Sequence, residues 1–192
     1  MVTIGILNLQ GDVSEHFDIT KKALDEMKIP GKVLKIKNAD DASKCEGIII
    51  SGGESTVIGK LMEETGIKKR IIDQKIPVMG TCAGMILLSN KTDHDQPLLG
   101  LIDMEVKRNA FGRQKASFED KIDIIGEKFQ GVFIRAPYVE KVGKNVDILS
   151  KYNDKIIGVK SGKYIATAFH PELTDDTRIH KYFIKEALNC VE

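Results

Sequence analysis

The 192-residue chain predicts an α/β fold, a doubly wound and mostly parallel sheet with helices on both faces and additional antiparallel strands in the C-terminal half. Three observations carry this expectation. In the first half, short apolar runs rich in β-branched residues alternate with stretches of helical period. Two glycine-bearing turns, "SGGEST" and "GTCAGM", stand at the ends of such runs, where open parallel sheets bind ligands. In the second half the runs shorten and follow one another with little helix between them.

In chain order, "VTIGIL" (2–7) is a buried strand bounded by "NLQGD". A helix follows over 12–28, with Val13, Phe17, Thr20, Leu24 and Met27 on its apolar face, Asp12 as N-cap, and Pro30-Gly31 as the stop. Strands are expected at 32–37 and 47–51, the latter running into Gly52-Gly53. A helix from about 55 to 65 and a further helical stretch to Gln74 precede a strand at 77–80, which passes directly into a helix at 83–90. "LLGLIDMEVKR", "KIDIIG", "GVFIRAP", "KIIGVKSG" and "KYIATAFHPE" read as shorter, often antiparallel strands. A helix over about 174–189 closes the chain, with Ile179, Tyr182, Phe183 and Leu188 on its buried side. Residues 1–192 are expected to form one domain, a size that buries about 70% of the unfolded surface.

Hydrophobic residues make up 42% and charged residues 30%, as in ordinary soluble proteins. The net charge of +1 gives no general attraction to nucleic acid or to anionic membranes. Cys45, Cys82 and Cys190 are odd in number and widely spaced, which suits neither a disulfide framework nor a zinc site, and places the protein in a reducing cytoplasm. Neither a cofactor nor a metal is expected. "MVTIGILNLQGD" has no basic leader or cleavage site, and the uncharged run 76–90 is shorter than the ~20 residues a spanning helix needs.

Gly80-Thr81-Cys82-Ala83-Gly84 follows an apolar strand and opens a helix. A strand that turns this sharply strains the turn residue and brings strand and helix close, so the positions two residues away must be small. The side chain at the turn projects into the crevice, and the helix N-terminus beside it stabilises an anionic sulfur. The Ala83 N–H can donate to a developing oxyanion. The pattern therefore reads as a nucleophile elbow with sulfur in place of oxygen; the alternative is an inert buried cysteine between incidental glycines. A thiolate nucleophile in acyl transfer needs a base, and the base an orienting group. Of the four histidines, His16 and His180 lie within helices with surface or packing roles expected, and His94 sits in a polar loop. His170 ends the apolar run "YIATAF", and Glu172, two residues on in an extended segment, would share its side and accept its ring N–H. Gly53 can bring a second amide N–H to the oxyanion, and an arginine suits the α-carboxylate of a free amino acid. Arg108 and Arg135 equally suit plain surface solvation.

"LNLQGDVSEH", "SGGEST", "GTCAGM", "RNAFGRQ", "GVFIRAP" and "FHPELTDD" together resemble the class I, triad-type glutamine amidotransferases, and within them the glutaminase subunits of pyridoxal 5′-phosphate synthase. The resemblance runs from Ile4 to about Arg178 and implies a flavodoxin-like amidotransferase fold. It implies hydrolysis of L-glutamine to glutamate and ammonia, and delivery of the ammonia to a separate (β/α)8-barrel synthase subunit, in a hetero-oligomer that makes vitamin B6. Carried onto this sequence, it makes Cys82 the nucleophile, His170 the base and Glu172 its orienter. It sets the substrate against Gly53, Glu54, Ser55, Arg108, Ile134 and Arg135, with Gly53 and Ala83 as the oxyanion hole. Gln10, at the end of the first strand beside the Gly52-Gly53 turn, is expected to feel the partner and align the second oxyanion donor. One departure is Ser51, where relatives often have proline; serine leaves the turn freer. Competing readings are a γ-glutamyl peptide hydrolase, an amidotransferase subunit of another pathway, and a non-catalytic DJ-1/PfpI-type protein, whose relatives share the elbow cysteine but lack the His-Pro-Glu strand end.

Overall fold

Parallel pairing of short, fully buried strands sets the frame. A computed structural model describes residues 1–11, 13–108 and 117–189; Asp12, Asn109–Gln114 of "RNAFGRQ" and Cys190 lie outside the described residues. Strand β1 (Val2–Leu7) pairs in parallel with β2 (Gly31–Ile36) on one side and β3 (Gly47–Ile50) on the other. β3 pairs with β4 (Val78–Thr81), and β4 with β12 (Tyr164–Thr167), all parallel. Ile48, Ile49 and Ile50 are wholly buried, as expected of a central strand covered on both faces.

Beyond β12 the sheet changes direction. β11 (Lys155–Ser161) pairs antiparallel with β12, with β9 (Tyr138–Val142) and with β10 (Asp147–Tyr152). β9 pairs antiparallel with β6 (Ile102–Lys107), which takes β5 (Ser89–Thr92) in parallel at the edge. The order is β2-β1-β3-β4-β12-β11-β9-β6-β5 with β10 beside β11, and β7 (Ser117–Ile124) and β8 (Glu127–Ile134) form a separate antiparallel hairpin.

The helices are α1 (Val13–Glu26), α2 (Ala39–Ala42), α3 (Ser55–Glu64), α4 (Ile67–Gln74), α5 (Ala83–Leu88) and α6 (Arg178–Leu188). Side-chain alternation along β3 shows that they cover both faces. A Cβ on Gly47 would meet Phe183 and Ala187 of α6, whereas Ile50, three residues on and so on the opposite face, meets Gly84 of α5. α1 packs on α6, and α3 on α5.

Several expectations change. The terminal "KYIAT" run is antiparallel on one side only: β12 pairs antiparallel with β11 and parallel with β4, where the two parts of the sheet meet. The α1 apolar face buries Val13, Thr20 and Leu24 as expected, with Phe17 and Met27 partly buried against the core, and it also takes in His16, Ile19 and Ala23. α5 stops at Leu88 rather than at residue 90, and Ser89 turns the chain into β5, its hydroxyl donating to the Ile86 carbonyl (2.7 Å). α6 begins at Arg178 rather than near 174; Thr174–Thr177 form a polar turn in which Asp176 Oδ1 accepts from the Arg178 N–H (3.0 Å). β9 and β10 were not expected from the sequence pattern.

The two glycines of the elbow are required sterically. A Cβ on Gly80 would lie 2.5 Å from the Gly84 carbonyl group, and one on Gly84 would lie 2.3 Å from the Ile50 carbonyl oxygen. The closest clashing atoms at both positions are backbone, which cannot move aside as a side chain can. Gly84→Ala should therefore lower stability by about 1–3 kcal/mol or more, the range for overpacking. Urea unfolding of the two proteins checks this, and an unchanged midpoint would show that β3 and α5 are not in contact there.

Candidate active site

The elbow places one side chain with little freedom. Cys82 adopts φ 51°, ψ −101° between β4 and α5, a left-handed conformation that costs a non-glycine residue on the order of 1–3 kcal/mol. The cost is met locally: the Cys82 N–H donates to the Thr167 carbonyl (2.8 Å), extending the β4–β12 ladder into the turn, and every residue of α5 is buried. The sulfur faces the cleft 3.8 Å from the Ile134 carbonyl. Ala83 opens α5, where an amide N–H has no partner within the helix.

β12 delivers the second component. Past Thr167 the chain runs through buried Ala168 and Phe169 to His170, whose N–H donates to the Val132 carbonyl of β8 (2.8 Å). Glu172 does reach the histidine, with Oε1 2.7 Å from His170 Nδ1, but not by extended alternation: residues Pro171–Leu173 form a 3-10 turn, and the curl of this turn, begun by proline, brings the carboxylate back to the ring. Nε2 is thereby left for Cys82. Burial by itself would lower the His170 pKa; hydrogen bonds and charge from Cys82 and Glu172 outweigh it and raise the value to about 10.

The β7–β8 hairpin closes one side. Arg178 at the start of α6 binds Asp176, Glu127 and the Lys128 carbonyl, which fastens the hairpin to the body. The β8 end thereby carries Ile134 and Arg135 to the cleft, Arg135 with a positive φ of 45°. Opposite stands the Gly53 turn (φ 143°), whose next amide, Glu54 N–H, donates to Gln10 Oε1 (2.8 Å). Ser51 is buried, and its hydroxyl has no hydrogen-bond partner among the described residues.

Gly53, Glu54, Ser55, Cys82, Ala83, Arg108, Ile134, Arg135 and His170 line one cleft of about 470 Å³, with Ile86 in its wall. The volume suits a free amino acid. Glu172 stands behind His170, buried, and Gln10 behind the Gly53 turn. Every residue singled out in the sequence thus converges here. Among the described residues, no group of three His, Cys, Asp or Glu is placed to hold a metal ion.

Three further residues belong to this region. Gln96 Oε1 accepts from Ser55 Oγ (3.0 Å), Thr56 Oγ1 (3.3 Å) and Arg108 Nη1 (3.2 Å), tying the start of α3 to the arginine. Nothing in the loop "KTDHDQ" signalled this. His16 and His180, for which surface or packing roles were expected, are wholly buried and touch each other next to Glu172. For His16 the signal existed: it sits three residues after Val13 and four before Thr20, on the buried stripe of α1.

Comparison with known proteins agrees with this geometry. The SNO glutamine amidotransferase family matches residues 6–189. The chain is 64% identical over 192 residues to the pyridoxal 5′-phosphate synthase subunit PdxT of Methanothermobacter thermautotrophicus, and 62% identical over 195 residues to that of Methanobrevibacter smithii, with 100% of each chain covered in both. A crystal structure of a glutamine amidotransferase, 40% identical, superposes with a TM-score of 0.85 over 96% of this chain and 98% of its own.

A raised His170 pKa has a consequence for stability. The ring is protonated more readily in the folded chain than in the unfolded one, so its contribution is complete below the ordinary histidine value of 6.5 and is lost as pH rises through about 10. Ring-nitrogen NMR should show His170 as imidazolium at pH 8; a neutral ring at that pH would break the proposed coupling to Cys82 and Glu172.

Proposed function

Because the chain belongs to the SNO glutamine amidotransferase family, we propose that it is the glutaminase subunit of a pyridoxal 5′-phosphate synthase, hydrolysing L-glutamine and passing ammonia to a barrel-shaped synthase partner in a cytoplasmic hetero-oligomer. The observation that carries the reading is the convergence of an elbow cysteine, a carboxylate-backed histidine and a cleft arginine on one space of amino-acid size.

Cys82 is the nucleophile, and His170 Nε2 takes its proton as the sulfur attacks. The sulfur attacks the γ-carbonyl carbon, and the oxygen takes up negative charge between the Ala83 N–H and the Gly53 N–H. As the C–N bond breaks, His170 Nε2–H gives its proton to the leaving nitrogen, which departs as ammonia. Neutral His170 then takes a proton from water, and hydroxide attacks the thioester. Collapse releases glutamate and the thiolate, and His170 is again imidazolium. Glu172 holds Nδ1–H throughout and supports the positive ring. Arg108 pairs with the substrate α-carboxylate, and Glu54 and the nearby carbonyl of Ile134 suit the α-ammonium.

The roles separate kinetically. Cys82→Ala should abolish hydrolysis while glutamine still binds, since alanine fits wherever cysteine does. Arg108→Ala should raise KM more than about tenfold with kcat changed less than about threefold, because the α-carboxylate does not alter during amide hydrolysis. Hydrolysis persisting in Cys82→Ala would remove the nucleophile; a collapsed kcat with unchanged KM would move Arg108 from binding to conformation.

The partner acts through the oxyanion turn. Gln10 already grips the Glu54 amide, the one that follows Gly53, so a protein docking at the end of β1 can shift the Gly53 turn through that bond. An oxyanion donor is worth about 10²–10³ in rate. Adding the synthase subunit should raise kcat at least about tenfold, and Gln10→Ala should cut the stimulated rate by a larger factor than the basal one. Equal loss in both states would make Gln10 a local brace only.

A further inference from the structure

We propose that His16 is a positioning residue for the triad, holding the second carboxylate oxygen of Glu172 and the residue before Cys82 with one ring nitrogen, and held in that role by His180; this rests on the glutaminase reading above. His16 Nε2 lies 3.2 Å from Glu172 Oε2 and 3.0 Å from Thr81 Oγ1. His16 Nδ1 lies 3.0 Å from His180 Nε2. Glu172 Oε1 is engaged by His170, so a buried chain runs His180, His16, Glu172, His170 and reaches the sulfur.

Hydrogen-bond chemistry fixes the direction of this chain. His16 Nε2 makes its hydrogen bond with Thr81 Oγ1 and stands in electrostatic contact with Glu172 Oε2; a ring lone pair there would face the carboxylate charge, so Nε2 carries the proton. A neutral His16 then offers a lone pair at Nδ1, which takes the proton of His180 Nε2. His180 Nδ1 is left as a bare acceptor, and it has no partner among the described residues. The reverse arrangement would aim the His16 lone pair at Glu172 and leave a buried N–H donor on His180 without an acceptor, the more costly outcome. Both rings are neutral. Burial, then the neighbouring His180 and His170, hold the His16 pKa well below the usual histidine value, and burial lowers that of His180 to about 3. The groups facing His16 are His180 from α6, Thr81 from β4, and Glu172 and His170 from the turn after β12.

A neutral donor suits this position physically. A cation there would compete with His170 for the Glu172 charge. A neutral N–H dipole beside the second oxygen favours one placement of the carboxylate and leaves its negative charge to hold the His170 imidazolium. Through Thr81 the same ring ties β4, which carries Cys82, to the segment that carries His170 and Glu172.

Glutamine can place its amide nitrogen near the position of a histidine Nε2, whereas asparagine reaches only the region of Nδ1. His16→Gln and His16→Asn are both polar and smaller than the site, so each folds without overpacking, and thermal melts report their stability. His16→Gln should retain at least about fivefold more kcat than His16→Asn, with KM alike in both. The His170 titration read by NMR should move to lower pH in His16→Asn and stay nearer the wild type in His16→Gln. Equal kcat and an unmoved His170 titration in both variants would overturn the proposal, as would the opposite order. The NMR readout needs no turnover. Failure of the glutaminase reading would show instead as absence of Cys82-dependent ammonia release in the wild type.

Discussion

The contact on which the site depends is the backbone approach of β3, β4 and α5 at two glycines. Without side chains at Gly80 and Gly84, α5 settles against the Ile50 carbonyl, and the chain between must turn within one residue. That residue is Cys82, held at positive φ by the Thr167 carbonyl on one side and a fully buried helix on the other. The strain is a consequence of packing, and it aims the sulfur at the cleft in a single direction. Strain of this kind persists only where surrounding structure over-determines it, as it does here.

The parallel pairing of β4 with β12 then sets the separation of the two reactive groups. Thr81 and Thr167 are register partners, so Cys82 and His170 leave adjacent strands at the same edge of the sheet. The chain connecting them is long and passes through all the antiparallel strands, yet their distance is decided by one strand spacing. The 3-10 turn after His170 adds the carboxylate, and the hairpin fastened by Arg178 adds the wall that carries Ile134 and Arg135. Charge is distributed in keeping with this geometry. Burial, aided by the charges of Glu46 and Asp41, pushes the Cys45 thiol up to about 12, while Cys82 stands in the cleft at a helix start with His170 beside it.

The sequence made most of the site legible because its components are local. The elbow needs only five residues, and the His-Pro-Glu step only three, so spacing alone reveals them. Long-range pairing was less legible. "KYIAT" has the length and composition of either a rim or a core strand, and only its register with β4 makes it central. The contact between His170 and Glu172 was foreseen for a reason the backbone does not follow, since a 3-10 turn replaces the extended segment. Gln96 acts through side-chain bonds from a loop with no pattern of its own. For His16 the sequence left surface and packing roles open; its period with Val13 and Thr20 selects burial, but its place beside Glu172 comes from long-range pairing.

The central claim is that Cys82 reacts with a glutamine side chain bound in this cleft. Treatment with a diazo-ketone analogue of glutamine, in the presence of the synthase partner, followed by peptide mapping, tests it most directly. A single adduct on Cys82, prevented by L-glutamine and absent from buried Cys45, is the predicted result. Modification at another residue, or none at Cys82 while ammonia release continues unimpaired, would contradict it.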